Sequence, residues 1–413
     1  MTYILLFAAV AQAVLVVGLV PVLARSRRRG DSNYRPNVLV VLCLRGEDPF
    51  VRKTIKALLD QDYDKLEVRV VVDSEQDPVW KTVVSVVQES GADSIVEITA
   101  LAQPLDTCTR KSSAILQAVS TLEDHHEVVV LLDADAVTPK KWLRELVAPL
   151  EDPNVMLSSG NRWYMPTHPT LGSLVRYLFN VSAFVQMYWF SIVWGGSVAI
   201  SRRFLEESDY LNQLPYAFGD DTLLARCALR ERFKIAFVPT QILINRETCR
   251  LNGFYRFMQR QLLTVRLHHP NFWMVVVFGL FTTGMLAAAI AAATYYAWLG
   301  NWASFWPLLA GVAAYQIIIF LSIALMECSV RPIIRERREE TRWLGVWGLV
   351  KLVPALFLAE TVYSICLLHT LFVRSHSWRG VTYRFGNNPK VKVIDDQQNW
   401  AVDVAAVASA ESI

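Results

Sequence analysis

The sequence predicts an α/β domain with a mainly parallel sheet, joined to several membrane-spanning helices. Three observations support this prediction. Apolar runs long enough to cross a bilayer stand at residues 3–24, 271–300 and 305–326. Between the first two, strand-like and helix-like stretches alternate from about residue 34 to 266. The hydrophobic share of 53% in 413 residues is high for a soluble protein, and the apolar excess is concentrated in those runs.

The composition excludes some classes of function. The charge is nearly balanced, with 41 Lys and Arg residues against 38 Asp and Glu residues and a net charge of +3, so we expect no nucleic-acid partner. The six cysteines are scattered, and no two have the spacing of zinc ligands or of a redox pair. They therefore predict buried thiols in a reducing compartment.

Residues 1–25 are expected to form an N-terminal transmembrane anchor. The apolar run 3–24 carries no charge, and the sequence RSRRRG follows it directly. A cleaved signal peptide would have its positive charges before the apolar run, so a retained anchor is favoured. Arginines that follow a span favour the cytoplasm, so the next domain, residues 34–269, is predicted to be cytoplasmic.

That domain begins with buried strands and helices in alternation. Val38–Leu44 is almost continuously apolar, as expected of a parallel strand buried on both faces. Further strands are predicted at 66–73, 96–99 and 127–136, and helices at 53–59 and 110–122. This alternation predicts a parallel sheet with crossover helices, which binds ligands at the carboxyl ends of its strands.

Polar residues stand at three of these strand ends. Arg45 follows the first strand, Asp73 the second, and the pair Asp133 and Asp135 the fourth. Two carboxylates at this spacing could simply cap a turn. However, a cation would offset their repulsion, and Mg²⁺ or Mn²⁺ prefers carboxylate and phosphate oxygens. Together with the basic pair at 110–111, the strand ends favour a shared metal and diphosphate site.

Four motifs, in their order along the chain, resemble those of membrane-anchored family 2 glycosyltransferases of the A-type fold. They are VRVVVDSEQDP at 68–78, LLDADA at 131–136, WGGSVAI at 194–200 and FGDDTLLA at 218–225. The resemblance is closest to the bacterial ceramide-glucosyltransferase-like group, and it covers about residues 36–270. The aspartate pair alone is a weak signal, whereas the ordered set is a strong one.

The resemblance implies a binding site for a nucleotide-sugar donor. Asp73 would bind the base or the ribose, although a turn cap is the alternative. Arg45 and Glu47 would line the same pocket, although any exposed loop could carry these charges. Lys111 would meet the diphosphate, or else lie on a solvated helix face.

The resemblance also implies a metal site beside a glycine turn. Asp133 would contact the ribose and the metal, and Asp135 would be the main ligand of Mg²⁺ or Mn²⁺, which would neutralise charge on the leaving nucleoside diphosphate. Gly196 follows Trp194 at a strand that would lie beneath the donor sugar and the acceptor, with Trp194 on the acceptor side. Paired glycines suggest that backbone approaches a ligand closely, although a strand bulge is the alternative.

Asp220 and Asp221 open a predicted helix, and either could cap it. The family places its catalytic base on the second acidic residue of this motif, which is Asp221. Inverting transfer needs a base that takes the proton of the acceptor hydroxyl while the metal-bound diphosphate leaves from the other face. Asp220 would orient the acceptor or cap the helix.

One motif departs from the family pattern. Related processive synthases carry Gln-x-x-Arg-Trp before the membrane hairpin. If Gln259 is the glutamine of that motif, Leu262 and Leu263 stand where arginine and tryptophan would be. Arg260 and Arg266 remain nearby and could meet the diphosphate. This loss, together with only two spans in the hairpin that follows, argues against a polymer channel and favours a single transfer onto a lipid.

The C-terminal third is expected to be membrane-associated. Residues 270–327 predict a transmembrane hairpin, and 328–342 a basic cytoplasmic loop. The apolar segment 343–373 contains a lysine, a proline and a glutamate. Since the tail 374–413 begins with positive charge that favours the cytoplasm, an interfacial or re-entrant helix is favoured over a full span.

The sequence therefore predicts an inverting membrane glycosyltransferase that moves one sugar, glucose from UDP-glucose, onto a hydroxyl-bearing lipid. The reaction is expected at the cytoplasmic face of a bacterial inner membrane. A polysaccharide synthase and a polyprenyl-phosphate glycosyltransferase are the enzymatic alternatives. A non-catalytic membrane scaffold that binds nucleotide sugar is a further alternative, and the two aspartate pairs argue against it.

Overall fold

The computed structural model describes residues 1–27, 32–387 and 390–397. Its main sheet has seven strands: β1 (Val38–Leu44), β2 (Leu66–Val72), β3 (Val96–Ala100), β4 (Val128–Leu132), β5 (Val155–Tyr164), β6 (Ser197–Ser201) and β7 (Lys234–Asn245). The strand order is β3-β2-β1-β4-β6-β5-β7, and only β6 runs antiparallel to its neighbours. The prediction of a mainly parallel sheet is confirmed.

Helices flank this sheet and continue beyond it. The first ten are α1 (Thr2–Arg27), α2 (Val51–Leu59), α3 (Pro78–Glu89), α4 (Arg110–Ser120), α5 (Trp142–Val147), α6 (Leu171–Phe190), α7 (Arg202–Glu207), α8 (Tyr210–Gln213), α9 (Asp220–Arg230) and α10 (Leu251–His268). Three long apolar helices follow: α11 (Phe272–Trp298), α12 (Trp302–Glu336) and α13 (Gly345–Phe372).

Strand β1 is buried on both faces, as its continuous apolar sequence predicts. Val38, Val40 and Leu42 join a core with residues of α2, α3 and α5. Leu39 and Val41 point the other way, into a core with residues of α4 and α9. Alternate residues of a strand face opposite sides, so an apolar residue at every position is what a two-sided core requires.

The strand pairing brings four chain segments to one edge of the sheet. Leu44 of β1 pairs with Val72 of β2, and Leu42 of β1 pairs with Leu132 of β4, all in parallel. Ser197, the first residue of the antiparallel β6, pairs with Leu132 as well. The residues that follow β1, β2 and β4 and those that precede β6 therefore lie together.

Four helices in the described residues, α1, α11, α12 and α13, are long and apolar enough to cross a membrane. Trp298, Trp302 and Trp306 are exposed where α11 turns into α12, a position typical of the aromatic belt at a membrane interface. Residues 28–31, which hold two of the arginines used to orient α1, lie outside the described residues.

The predicted basic loop 328–342 is partly helical, because α12 continues to Glu336. Arg331 pairs with Glu327 one turn earlier, with 2.6 Å between the guanidinium nitrogen and the carboxylate oxygen. Such a pair stabilises a helix, here at the boundary between the apolar span and the charged sequence.

Both ends of α13 contact the soluble domain. Near its start, Gly348 packs against Pro169. At its end, Arg266 donates hydrogen bonds to the carbonyl oxygens of Thr370 and Val373. The segment 343–373 thus contains one helix that returns to the domain from which the chain left. Its interfacial or re-entrant path stays a prediction.

The tail 374–413 contains a second, antiparallel sheet that the sequence did not reveal. Its strands are β8 (Ser375–Trp378), β9 (Val381–Phe385) and β10 (Val391–Asp396), in the order β10-β9-β8. Val381, Tyr383, Phe385 and Val391 bury their side chains against Phe218, which precedes α9. The C-terminal sheet therefore packs on the soluble domain. The part of the tail after residue 397 lies outside the described residues.

Candidate active site

A cleft at the shared strand edge gathers most of the residues that the sequence singled out. Those that line it include Arg45, Asp73, Lys111, Asp133, Asp135 and Arg260. The Trp194–Gly196 turn and the start of α9 contact the same cleft through Lys111 and Asp133. Residues that are up to 215 positions apart thus form one site, as the strand ends predicted.

The first wall of the cleft contains an ion pair between Arg45 and Asp73. Their side chains are 9% and 12% exposed, and Arg45 donates to the Asp73 carboxylate. Burial raises the pKa of Asp73, against the opposing effect of Arg45. Gly46 has a φ of 71°, and its N–H donates to the capping carboxylate of Asp77 at 2.8 Å. Only glycine adopts this left-handed conformation readily, so it defines the turn after β1.

Glu47 does not line the cleft, contrary to the expectation from the sequence. Its side chain is exposed and is not among the described residues that line the cleft. The turn at Gly46 directs Glu47 to solvent, whereas Asp48 is partly buried and lies 3.4 Å from Arg379. The acidic residue that the turn holds near the cleft is therefore Asp48.

Asp133 and Asp135 follow β4 and each lies beside a basic side chain. Lys111 Nζ is 3.0 Å from Asp133, and Arg162 is 2.7 Å from Asp135 and 3.6 Å from Asp133. The backbone between them is fixed by Thr54, which donates to the carbonyl oxygen of residue 134 at 2.7 Å. Burial alone would raise the pKa of Asp133, but Lys111 and Arg162 hold it below its usual range.

This donor set fits a hard divalent cation. Asp133 and Asp135 remain about 30% and 29% exposed toward the cleft, so both carboxylates are accessible from it. Two carboxylates beside an open polar space are ligands that Mg²⁺ and Mn²⁺ accept when substrate phosphates complete the shell.

Lys111 lies between two acidic pairs. Its Nζ is 3.0 Å from Asp133, 3.2 Å from Asp220 and 3.4 Å from the carbonyl oxygen of Gly195. Burial works against the charged amine, but these carboxylates raise its pKa above its ordinary value. Lys111 is therefore a fixed positive charge inside the cleft and does not lie on a solvated helix face.

Asp221 is a partly buried carboxylate at the start of α9. Its two oxygens accept hydrogen bonds from the N–H of Gly195 at 3.2 Å and of Thr222 at 2.7 Å. Burial raises its pKa to about 6, with a further contribution from the neighbouring negative charge of Asp220. The N-cap position of α9 belongs to Gly219, and no side chain caps it. Neither aspartate is thus the N-cap residue of this helix.

A buried histidine holds the segment that leads into Asp220 and Asp221. The N–H of Phe218 donates to Nε2 of His268 at 3.0 Å. Burial lowers the pKa of His268 to about 3, so the imidazole is neutral and its Nε2 can accept this bond. The sequence offered no signal for this role, because a histidine on a helix is usually a packing residue.

The two glycines before β6 leave room for the carboxylates. A Cβ atom on Gly195 would lie 2.7 Å from Asp220 Oδ2, and one on Gly196 would lie 2.5 Å from Asp133 Oδ2. At Gly196 such an atom would also lie 2.3 Å from the Trp194 ring. These distances are far below van der Waals contact, so a side chain at either glycine would displace its neighbours. Next to them, the Trp194 ring lies beneath the guanidinium group of Arg162, at 4.9 Å from its centroid.

The departure from Gln-x-x-Arg-Trp has a structural counterpart. Leu262 and Leu263 are buried in apolar clusters, 4% and 1% exposed. Arg260 reaches the cleft instead, and its guanidinium group stacks on Trp378 of the C-terminal sheet, 4.6 Å from the ring centroid. An arginine and a tryptophan therefore do meet at this site, from segments 118 positions apart in the sequence.

Several cleft residues were missed by the sequence analysis. Arg162 comes from the middle of β5, and Trp378, Arg379 and Tyr383 come from the C-terminal sheet. None of them belongs to a motif with characteristic spacing. Only the three-dimensional fold brings them to the strand edge.

Comparisons with known proteins give one matching family and several similar solved structures. A family model described as glycosyl transferase family 21 matches residues 2–391. No curated protein sequence matches the chain significantly. A mannosyltransferase from Pyrobaculum calidifontis, solved with GDP-Man and Mn²⁺, is 18% identical with a TM-score of 0.48, over 90% of this chain and 97% of that one. Glucosyl-3-phosphoglycerate synthase from Mycobacterium tuberculosis, solved with Mn²⁺ and UDP-glucose, is 18% identical with a TM-score of 0.36, over 60% and 81%.

Proposed function

Because this chain belongs to glycosyl transferase family 21, it is a glycosyltransferase, and we propose that it transfers a single sugar, glucose from UDP-glucose, to a hydroxyl-bearing lipid. The observation that supports this proposal best is the pair of acidic clusters in one cleft, separated by Lys111. One cluster suits the donor diphosphate with its metal, and the other suits the acceptor hydroxyl.

The donor half of the cleft would bind the nucleotide through Asp73 and Arg45, and the diphosphate through Lys111 and Arg260. Asp133 and Asp135 would hold Mg²⁺ or Mn²⁺, which when bound neutralises charge on the leaving group. The two basic side chains provide fixed positive charge on the same leaving group, in a cleft where water is partly excluded and charge interactions are stronger.

The acceptor half would use Asp221 as the general base. A pKa near 6 leaves most of this carboxylate ionised at pH 7 and still basic enough to accept a proton. The proton of the acceptor hydroxyl would pass to Asp221 as the hydroxyl oxygen forms its bond to the anomeric carbon. The bond between that carbon and the diphosphate oxygen breaks on the opposite face, so the configuration inverts. Asp220 lies 3.2 Å from Lys111 and would hold the donor half and the acceptor half of the cleft in a fixed relative position.

A lipid acceptor is supported by the position of α6. This helix ends four residues before Trp194, and its last turn exposes Trp189 and Phe190, 42% and 47% exposed. Trp189 donates to the carbonyl oxygen of Leu15 in the apolar helix α1 at 3.0 Å. Exposed aromatic side chains at this position suit the membrane interface. The acceptor side of the cleft would therefore open toward the bilayer.

The topology that we propose keeps the catalytic cleft and both ends of α13 on the cytoplasmic side. Contacts of Gly348 with Pro169 and of Arg266 with Val373 support an interfacial or re-entrant path for this helix. A full crossing would carry the C-terminal sheet away from the cleft that it lines.

The decisive experiment uses purified protein with Mn²⁺, a panel of radiolabelled nucleotide sugars and a total lipid extract. We expect label from UDP-glucose to appear in a single lipid product of low mass. Asp135→Ala is the matched control, and we expect it to abolish transfer without loss of the fold. A labelled polymer would favour a polysaccharide synthase, and full activity of Asp135→Ala with EDTA present would contradict the metal assignment.

A further inference from the structure

The C-terminal sheet forms part of the cleft wall. Trp378, Arg379 and Tyr383 all line the cleft, opposite the ends of β1 and β4. Tyr383 accepts a hydrogen bond through its hydroxyl from the N–H of Arg110 at 3.3 Å. The C-terminal sheet, which follows α13, thus contacts Arg110 at the start of α4 in the same cleft.

Asp396, the last residue of β10, joins two arginines of this wall. Its Oδ1 is 2.7 Å from Arg45, and its Oδ2 is 2.5 Å and 3.0 Å from two nitrogens of Arg110. Both arginine side chains are only 9% exposed. Arg45 also pairs with Asp73. The order Asp73, Arg45, Asp396, Arg110 is therefore a row of alternating charges along the cleft wall.

The carboxylate of Asp396 is itself held in place. The residue pairs with Val381 across the sheet, and the next residue, Gln397, donates its N–H to the carbonyl oxygen of Gly380 at 3.0 Å. Arg379 and Arg45 also exchange hydrogen bonds, each guanidinium donating to the carbonyl oxygen of the other residue at 2.7 and 2.8 Å. The strand end is anchored on both sides of the ion pairs.

We propose that Asp396 is a positioning residue for the donor, and that its carboxylate fixes the guanidinium groups of Arg45 and Arg110 so that the cleft binds a nucleoside diphosphate. Arginine side chains lose much rotamer freedom when they bind a ligand, and a group that orders them beforehand removes this cost. Without Asp396, the two guanidinium groups would lose the carboxylate that bridges them, while Arg45 would keep Asp73 and Arg110 would keep Asp106 at 4.0 Å. This inference rests on the proposed function, because it names a determinant of donor binding in the same site.

The alternative role for Asp396 is a competitor that occupies the place of a donor phosphate. The two roles predict opposite changes in nucleotide affinity when Asp396 is replaced. A positioning carboxylate strengthens nucleotide binding, so its removal weakens binding. A competitor weakens nucleotide binding, so its removal strengthens it.

The test is calorimetric binding of UDP with Mn²⁺ to the full-length protein, with donor KM and kcat from the transfer assay. For Asp396→Asn we expect binding weaker by about tenfold, the worth of one charge-assisted hydrogen-bond partner, with kcat changed by less than about threefold. Asp396→Glu keeps the charge and should recover most of the affinity. Asp395→Asn is the matched control, because Asp395 is exposed and its carboxylate accepts a hydrogen bond from the Gln397 side chain at 3.0 Å. This variant should bind UDP as the wild type does.

Each outcome decides the matter. If the wild type is active and Asp396→Asn binds UDP as tightly as the wild type or more tightly, the positioning role is contradicted. The proposed function is not affected by that result. An equal loss in Asp395→Asn would mean that the strand matters and the carboxylate does not, which also overturns the proposal. A wild-type protein that binds neither UDP nor GDP with Mn²⁺ contradicts the proposed function, and this inference falls with it.

Discussion

Asp221 is the proposed proton acceptor, and the exchange of its carboxylate for an amide tests that role. Asp221→Asn keeps the shape of the side chain and an oxygen that can accept from Gly195. We expect transfer to fall by about 10² to 10⁴, the usual worth of a positioned general base. UDP binding should survive, because the nucleotide contacts come from other residues. A variant with nearly normal turnover per folded molecule would show that the base lies elsewhere.

The Asp221→Asn exchange is also expected to change how protein stability depends on pH. The pKa of Asp221 rises from 3.8 to about 6 on folding, so the folded state binds more protons between these values and stability falls as pH rises through them. Asparagine has no such titration. We therefore expect the melting temperature of Asp221→Asn, relative to that of the wild type, to be higher at pH 7 than at pH 4. The hydrogen bond from the N–H of Thr222 is lost at both pH values. A helix cap predicts the reverse, namely a loss of about 1 kcal/mol at neutral pH.

At this scale the sequence predicts the residues that directly follow apolar strands better than residues elsewhere in the chain. Asp73, Asp133 and Asp135 follow apolar strands, so a parallel sheet must bring them to one edge. Arg162 lies inside a strand and Asp396 lies 351 positions from Arg45. No local pattern marks such residues, because their partners are chosen by the packing of distant segments.

The short turn before β6 leaves no room for a side chain beside the site. Gly196→Ala places a methyl group 2.3 Å from the Trp194 ring and 2.5 Å from Asp133 Oδ2. Since overpacking of this kind costs about 1–3 kcal/mol, we expect a lower melting temperature and a large loss of UDP binding in the presence of Mn²⁺. Gly284→Ala is the matched control, because nothing lies within 4 Å of a Cβ there and alanine favours a helix. Normal UDP binding by Gly196→Ala would contradict the close approach of the turn to Asp133.

Elements differ in how well the sequence predicts them. Strands β1, β2 and β4 are marked by long apolar runs, and helices α2 and α4 by helical spacing. Strands β8, β9 and β10 have four to six residues and mixed polarity. They are stabilised by contacts with Phe218 and Leu263, far away in the sequence, so their own residues give little indication of a sheet.

For the whole molecule, the predicted mainly parallel sheet with added apolar helices is confirmed. The path of the chain through the membrane stays a prediction, which labelling tests. We expect a cysteine introduced at Gly386 to be protected from an impermeant thiol reagent added outside intact cells. Ala303→Cys, in the first turn of α12, is the positive control and should react. Reaction at residue 386 would mean that α13 crosses the bilayer and that the C-terminal sheet lies outside.

The membrane arrangement was also the least predictable part at this scale. Hydropathy identifies α1, α11 and α12 without difficulty. For α13 the composition allows several paths, because Lys351, Pro354 and Glu360 interrupt a mainly apolar helix. What distinguishes these paths is contact with the soluble domain at both ends of the helix, and such contacts cannot be read from a window of residues.

The C-terminal sheet lies near the end of the sequence, so its part of the cleft is synthesised last. Strands β1 to β7 end at Asn245, so the main sheet can form while the rest of the chain is still being synthesised. The wall built from β8 to β10 is made last, after all four apolar helices have left the ribosome. A nascent chain that ends before α13 therefore carries both aspartate pairs but an incomplete cleft wall. The cleft is complete only after the last apolar helix, α13, has been synthesised.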